Sequence, residues 1–188
     1  IRLVAGLGNP GREYQRTRHN VGYLICDRVA RHYKAGGFRP KNKFKADILE
    51  LTLGGEKVIV AKPLTYYNNS GEAARAIIDF YQIDPSDVLV VHDELSLPFG
   101  TVRVRFDGSD AGNNGIKSLN LHIGQNYTRI RIGTAQIAEA SSQQNHVDFV
   151  LGKFTKVESD KIEEMSEHVI YLIKQFTDGQ LESHTTVR

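Results

Sequence analysis

The sequence predicts an α/β protein with an open sheet and helices packed on it. Leu3, Val4, Ala5 and Leu7 form a short apolar run closed by glycine, and Asp87-Val88-Leu89-Val90-Val91 is a second. Both are too short for helices and read as strands buried on both faces. Between them and after them lie segments with a helical apolar period, and later runs alternate apolar and polar with period two.

The 188 residues suggest one domain, 1–188, large enough for a substantial core. Hydrophobic content of 40% and charged content of 24% are those of an ordinary globular protein. No apolar run approaches the ~20 residues of a membrane helix. Arg2 and the early glycines interrupt any signal-peptide pattern. The single Cys26 has no internal disulfide partner, which fits a reducing, cytoplasmic setting. Net charge is only +2 but uneven: residues 1–62 hold 13 basic and 5 acidic residues, and the rest of the chain is acidic. Such asymmetry fits either a polyanionic partner on one side or plain solvated surface.

The first strand ends at Gly8-Asn9-Pro10-Gly11, a strong turn signal. The first helix is expected over 20–33 from Val21, Leu24, Ile25, Val29 and Tyr33, so His19 stands at its N-terminus. Gly6-Leu7-Gly8-Asn9-Pro10-Gly11 matches G-x-G-x-x-G, but Pro10 and a polar segment separate the glycines from the helix. A dinucleotide site needs the helix to start inside that loop, so the context weakens the reading of a Rossmann-type nucleotide enzyme and leaves it a minor alternative. Residues 39–45, rich in Arg and Lys, read as a basic loop, and a phosphate contact if a nucleic-acid site lies beside it. Strands at 46–53 and 57–61 flank Gly54-Gly55, a hairpin signal. Ser70 is the expected N-cap of a helix carrying Ala73, Ala74, Ile77, Ile78 and Tyr81, with Asn68 and Asn69 just ahead of it.

The strand at 87–91 runs into His92-Asp93-Glu94, whose burial unpaired would be costly, so all three are expected in the crevice beside Asn9. In the strand at 101–106, Val102, Val104 and Phe106 face the core while Arg103 and Arg105 face out. A glycine-rich loop at 107–115 feeds a helix with Ile116, Leu119 and Ile123. Arg129-Ile130-Arg131-Ile132 repeats the strand pattern, with both arginines on one face. Residues 134–147 read as a flexible loop and 148–151 as a short strand or helix lead-in. The C-terminal helix is announced by a Thr155–Glu158 capping box, continues through Ile162, Met165, Val169, Leu172 and Phe176, and stops at Gly179.

Strand carboxyl ends and helix N-termini thus gather Asn9, His19, Asn68, Asp93 and Asn114: one titrating base, one carboxylate and three neutral amides. No G-x-S-x-G elbow is present, Cys26 lies on an apolar helix face, and no H-x-x-x-H or C-x-x-C spacing offers a metal site. General-base activation of water remains. The helix N-terminus disfavours an imidazolium at His19 while Asp93 favours it and orients the ring, and a neutral base is the expectation from that balance. Amides can orient water, donate to an oxyanion and hold a peptide backbone. These parts suit hydrolysis of an acyl ester without a covalent intermediate.

The blocks GLGNPGREY with TRHNVGY, then KPLTYYNNSG, VHDELSLPFG, GNNGIKS, RIRIG, FVLGKF and FTDG occur in one order along nearly the whole chain. In these the sequence resembles the bacterial-type peptidyl-tRNA hydrolases. The resemblance implies a monomeric three-layer domain, a mixed twisted β-sheet with helices on both faces. It implies cleavage of the ester between a peptide and the 3′-terminal ribose of tRNA, in the cytoplasm, with no cofactor and no metal. By motif, His19 is the base and Asp93 its partner. Asn9 and Asn68 line the peptide and water site, Tyr14 and Tyr67 bind substrate, and Asn114 places the water or stabilises the oxyanion. Arg105 and Arg131 stand where the family clamps a tRNA phosphate. The chain departs from the family's common G-G-H-N-G at Asn113, which replaces a histidine, and at Asp110. Non-catalytic RNA-binding relatives share this fold; the intact set of His19, Asp93, Asn9, Asn68 and Asn114 favours the enzyme.

Overall fold

The computed structural model describes residues 1–135 and 149–187. Among these, one eight-stranded sheet runs in the order β2-β3-β4-β1-β5-β7-β6-β8. The strands are β1 (Arg2–Gly6), β2 (Arg39–Lys41), β3 (Ala46–Leu53), β4 (Glu56–Pro63), β5 (Val88–Pro98), β6 (Thr101–Arg105), β7 (Thr128–Ala135) and β8 (His184–Val187). The central run β4-β1-β5-β7 is parallel, and antiparallel strands extend it on both sides. The sheet is therefore mixed, as expected.

The helices are α1 (Val21–His32), α2 (Ser70–Tyr81), α3 (Asn114–Ile123) and α4 (Lys156–Thr177). Alternation along the buried strands divides the core between them. Val4, Leu89, Val91, Ile130 and Ile132 pack with α1 and α4 on one face. Leu3, Ala5, Val88 and Val90 pack with α2 and α3 on the other. A strand buried on both faces can be apolar at every position, which is why these runs do not alternate in sequence.

Several expectations are corrected. The strand expected to end at 91 continues to Pro98, because β7 pairs with it as far as Glu94 and again at Pro98. Phe106 does not join the core: β6 pairs with β7 no further than Arg105↔Arg129, and Phe106 projects past that margin, 41% exposed. Part of the basic loop at 39–45 is the edge strand β2, followed by a 3-10 turn. The last strand, β8, pairs antiparallel with β6 and has no precedent in the sequence reading. Ser70 is the first residue of α2 rather than its cap, and its hydroxyl donates to the Tyr67 carbonyl. Of the expected 134–147 loop, residues 134 and 135 end β7 and the rest lies outside the described residues; residues 149–150 are helical.

One glycine seats the helix that follows His19. A Cβ on Gly22 would run into the backbone of Leu7 and into the Val91 carbonyl oxygen, so α1 approaches β1 and β5 closely only because no side chain intervenes. Gly22→Ala is expected to lower stability by about 1–3 kcal/mol through overpacking. Urea unfolding followed by far-ultraviolet circular dichroism measures it as a lower midpoint at unchanged slope.

Candidate active site

The site forms where β1 ends and β5 goes on. β1 pairs with β5 no further than Gly6↔Val91, so Asp93 lies past the end of its neighbour. Asp93 nonetheless is 2% exposed. His19 comes from the 3-10 turn Arg18–Asn20 that leads into α1, and its Nδ1 lies 2.9 Å from Asp93 Oδ2. The other carboxylate oxygen accepts a hydrogen bond from the Tyr67 hydroxyl at 2.5 Å. Burial alone would raise the Asp93 pKa, but His19 and the Tyr67 hydroxyl more than offset it and hold the group below the ordinary carboxylate range. An ionised carboxylate only accepts, so His19 Nδ1 is the donor, and in the neutral ring the lone pair then lies on Nε2.

Of the three polar residues expected in this crevice, only Asp93 enters it. Alternation along β5 sends His92 and Glu94 to the opposite face. There Glu94 accepts two N–H bonds from Arg131 at 3.0 and 3.2 Å. His92 is buried, donates Nδ1–H to the Asp93 carbonyl at 2.8 Å, and is held neutral by burial, which lowers its pKa.

Asn9 is braced on three sides. Asn20 accepts from its backbone N–H and donates to its carbonyl, each at 2.8 Å. The Tyr67 backbone N–H donates to its side chain at 2.8 Å. Because that N–H can only donate, the atom facing it is Oδ1, and the side-chain NH2 remains available as a donor. Asn68 and Asn114 are solvent-exposed, each one residue along the chain from a buried or bonded anchor, Tyr67 and Asn113 respectively. Tyr14 is half-buried on the loop after β1. Tyr67 is buried, and its hydroxyl is committed to Asp93 and Asn113. The preceding Tyr66 sits at φ +63°, a conformation that costs of order 1–3 kcal/mol and is met mainly at functional sites.

Three further residues position the site with no sequence signal for that role. Asn20 is the first. Arg18 and Glu158 are the others: Arg18 Nη2 donates to Glu158 Oε1 at 2.9 Å, and both side chains are buried. The guanidinium also lies over the Phe149 ring, 4.3 Å from its centre. The same Glu158 oxygen accepts the Thr155 backbone N–H, completing the expected capping box of α4. The residue next to His19 is thereby bolted to the last helix.

The arginines expected to face outward divide by environment. Arg103 lies directly opposite Arg131, and Arg105 opposite Arg129, on one face of the sheet. Arg129 is buried and donates to the carbonyls of Gly108 and Ser109, which ties down the glycine-rich loop. Arg105 is held by Ser183 and the Val104 carbonyl, and Arg103 by Thr185. Partial burial, then the nearby charges of Arg103 and Arg131, lower the Arg105 pKa, the mark of a locally positive face. The basic run at 39–45 is not beside it: β2 and β6 lie near opposite edges of the sheet. Burial pushes the Cys26 thiol up to about 12, which suits a packing role. Among the described residues no cluster of three or more His, Cys, Asp or Glu could hold a metal ion, and no helix is long and apolar enough to cross a membrane.

A family model described as peptidyl-tRNA hydrolase matches residues 3–187. A peptidyl-tRNA hydrolase of Aliarcobacter butzleri is 39% identical over 180 residues, 96% of this chain and 94% of that protein. One of Bacillus subtilis is 45% identical over 163 residues, 86% of this chain and 84% of the other. The crystal structure of peptidyl-tRNA hydrolase from Acinetobacter baumannii superposes with a TM-score of 0.88 at 34% identity, covering 96% of this chain and 90% of that one.

Glu158→Ala is expected to destabilise the fold by about 3–5 kcal/mol, because it strands the buried Arg18 charge. Chemical denaturation tests it, and replacing both partners by apolar residues of similar size should recover most of the loss.

Proposed function

This chain belongs to the peptidyl-tRNA hydrolase family, and from that premise we propose that it cleaves peptidyl-tRNA with water activated by His19. The observation that carries the proposal is the His19–Asp93 contact at 2.9 Å, with a buried, ionised Asp93 that leaves the Nε2 lone pair free. In the reaction, Nε2 takes a proton from water as its oxygen attacks the ester carbonyl carbon. The resulting imidazolium is stabilised by Asp93, which stays ionised. Collapse of the tetrahedral intermediate breaks the bond to the 3′-terminal ribose oxygen, which leaves with the proton held by His19. Peptide and free tRNA are released, and His19 is neutral again.

The amides supply what the base cannot. Asn9 offers its NH2 group from a braced position and suits a peptide carbonyl. Asn68 and Asn114 are assigned to the peptide and to the water or oxyanion, with Tyr14 at the substrate's edge. Arg105 and Arg131 take a tRNA phosphate; Glu94 holds Arg131 in place for it. In this reading the protein acts as a cytoplasmic monomer and needs no metal or cofactor.

His19→Ala is expected to reduce turnover by about 10²–10⁴-fold with tRNA binding near normal. The assay is release of free tRNA from N-acetylated aminoacyl-tRNA with chelator present. Release by neither protein, with tRNA still bound, would instead point to a non-catalytic RNA-binding role. Arg105→Ala should weaken tRNA binding and lower the slope of log affinity against log salt by about 0.7–0.9. A slope equal to wild type would remove Arg105 from the phosphate site.

A further inference from the structure

We infer that Tyr67 is a positioning residue of the His19–Asp93 dyad and that Asn113 acts on the dyad through it. The inference rests on His19 serving as the base. Tyr67 meets both members of the dyad. Its hydroxyl donates to Asp93 Oδ1 at 2.5 Å, and its ring stacks on the His19 imidazole with centres 3.5 Å apart and planes 14° from parallel. Asn9 fixes its backbone from one side. On another, the ring packs so tightly on Gly115 that a Cβ there would lie 2.5 Å from Cε1.

The protons in this group have one consistent arrangement. The Ile116 backbone N–H donates to Asn113 Oδ1 at 3.0 Å, which caps α3 and leaves Asn113 its NH2 group as donor. Asn113 Nδ2 donates to the Tyr67 hydroxyl oxygen at 2.9 Å. That hydroxyl, with its lone-pair side occupied, gives its proton to Asp93 Oδ1, and His19 Nδ1–H goes to Oδ2. Each bond polarises the next. An amide cannot titrate, so this chain stays aligned throughout the working pH range.

The consequence is electrostatic. Asp93 shares its negative charge between two donors rather than concentrating it on His19. A carboxylate facing His19 alone would hold the imidazolium more tightly and withhold the proton due to the leaving ribose oxygen. The other titratable and charged groups near the dyad are held by partners of their own or kept neutral by burial. His92 and Glu94 flank Asp93 on β5 with Arg131 paired to Glu94, and Arg18, beside His19 in the chain, is paired with Glu158.

Tyr67→Phe keeps the ring and the stack and removes only the O–H. Two midpoints are followed: that of the His19 ring by NMR titration, and that of the acid limb of kcat/KM. Both are expected to move to higher pH, by about half a unit or more, with KM unchanged. Asn113→Ser keeps a capping oxygen for α3 but is too short to reach Tyr67. It should move both midpoints the same way by less, and the double variant should go no further than Tyr67→Phe. Because Asn113 is partly exposed, its variant tests the idea even if the buried one folds poorly.

A His19 midpoint that stays put in Tyr67→Phe overturns the inference, and a raised KM with both midpoints unmoved assigns Tyr67 to holding the peptide instead. Shifts that add in the double variant overturn the route through the phenol. If the NMR midpoint moves and the kinetic limb does not, the positioning role stands and His19 is not the base.

Discussion

A carboxylate withdrawn from water stays ionised only where donors replace the hydration it has lost, and Asp93 is the point at which this protein meets that requirement. Its two oxygens are served from different parts of the chain. One donor comes from the turn before α1, the other from the turn before α2. Each donor is held in its turn: Tyr67 by Asn9 and Asn113, and the His19 turn by Asn20 and Arg18. The parallel centre of the sheet makes the convergence possible. β1 stops short of Asp93 while β5 continues, so a buried strand delivers a polar side chain to the sheet's end.

The charge on the sheet's margin follows a similar logic. Arginines repeated with period two on β6 and β7 fall on one face, and antiparallel pairing sets them side by side. Like charges so placed repel, and the structure offsets this by different means at each one. Arg131 has a carboxylate, Arg129 has carbonyls, and Arg103 and Arg105 have hydroxyls near the C-terminus. Only Arg131 has a carboxylate partner; the others are held by neutral acceptors and keep their positive charge, with Arg129 buried and Arg103 and Arg105 nearer solvent, which makes a face suited to an anion.

Much of this was legible in the sequence, and the exceptions share a cause. Buried strands, the α4 capping box and the residues of the dyad can be read because local patterning places them: apolar runs, periodic faces, and polar residues at element ends. Asn9, His19 and Asp93 converge as their positions at those ends suggest. What could not be read depends on pairing at a distance. Tyr67 and Asn113 are 46 residues apart, and Arg18 and Glu158 are 140 apart. No periodicity links them. The strand β8 was illegible because His184-Thr185-Thr186-Val187 is short and polar, and becomes a strand only through the open edge of β6. His92 and Glu94 depart from the crevice that their polarity suggests because a strand that runs on past its neighbour keeps its period of two.

The long reach from Arg18 to Glu158 also bears on how the protein comes into being. Translation delivers the amino terminus first, so His19, Tyr67 and Asp93 all leave the ribosome well before Glu158 exists. Until then the Arg18 guanidinium has no carboxylate, and the Thr17–Lys153 bridge beside it has only one strand. The turn that aims His19 is thus completed by a segment made 140 residues after it. A nascent molecule carries every chemical group of the dyad but lacks the clasp that aligns it. The clasp closes only once α4 has been made and docks its Glu158 on Arg18.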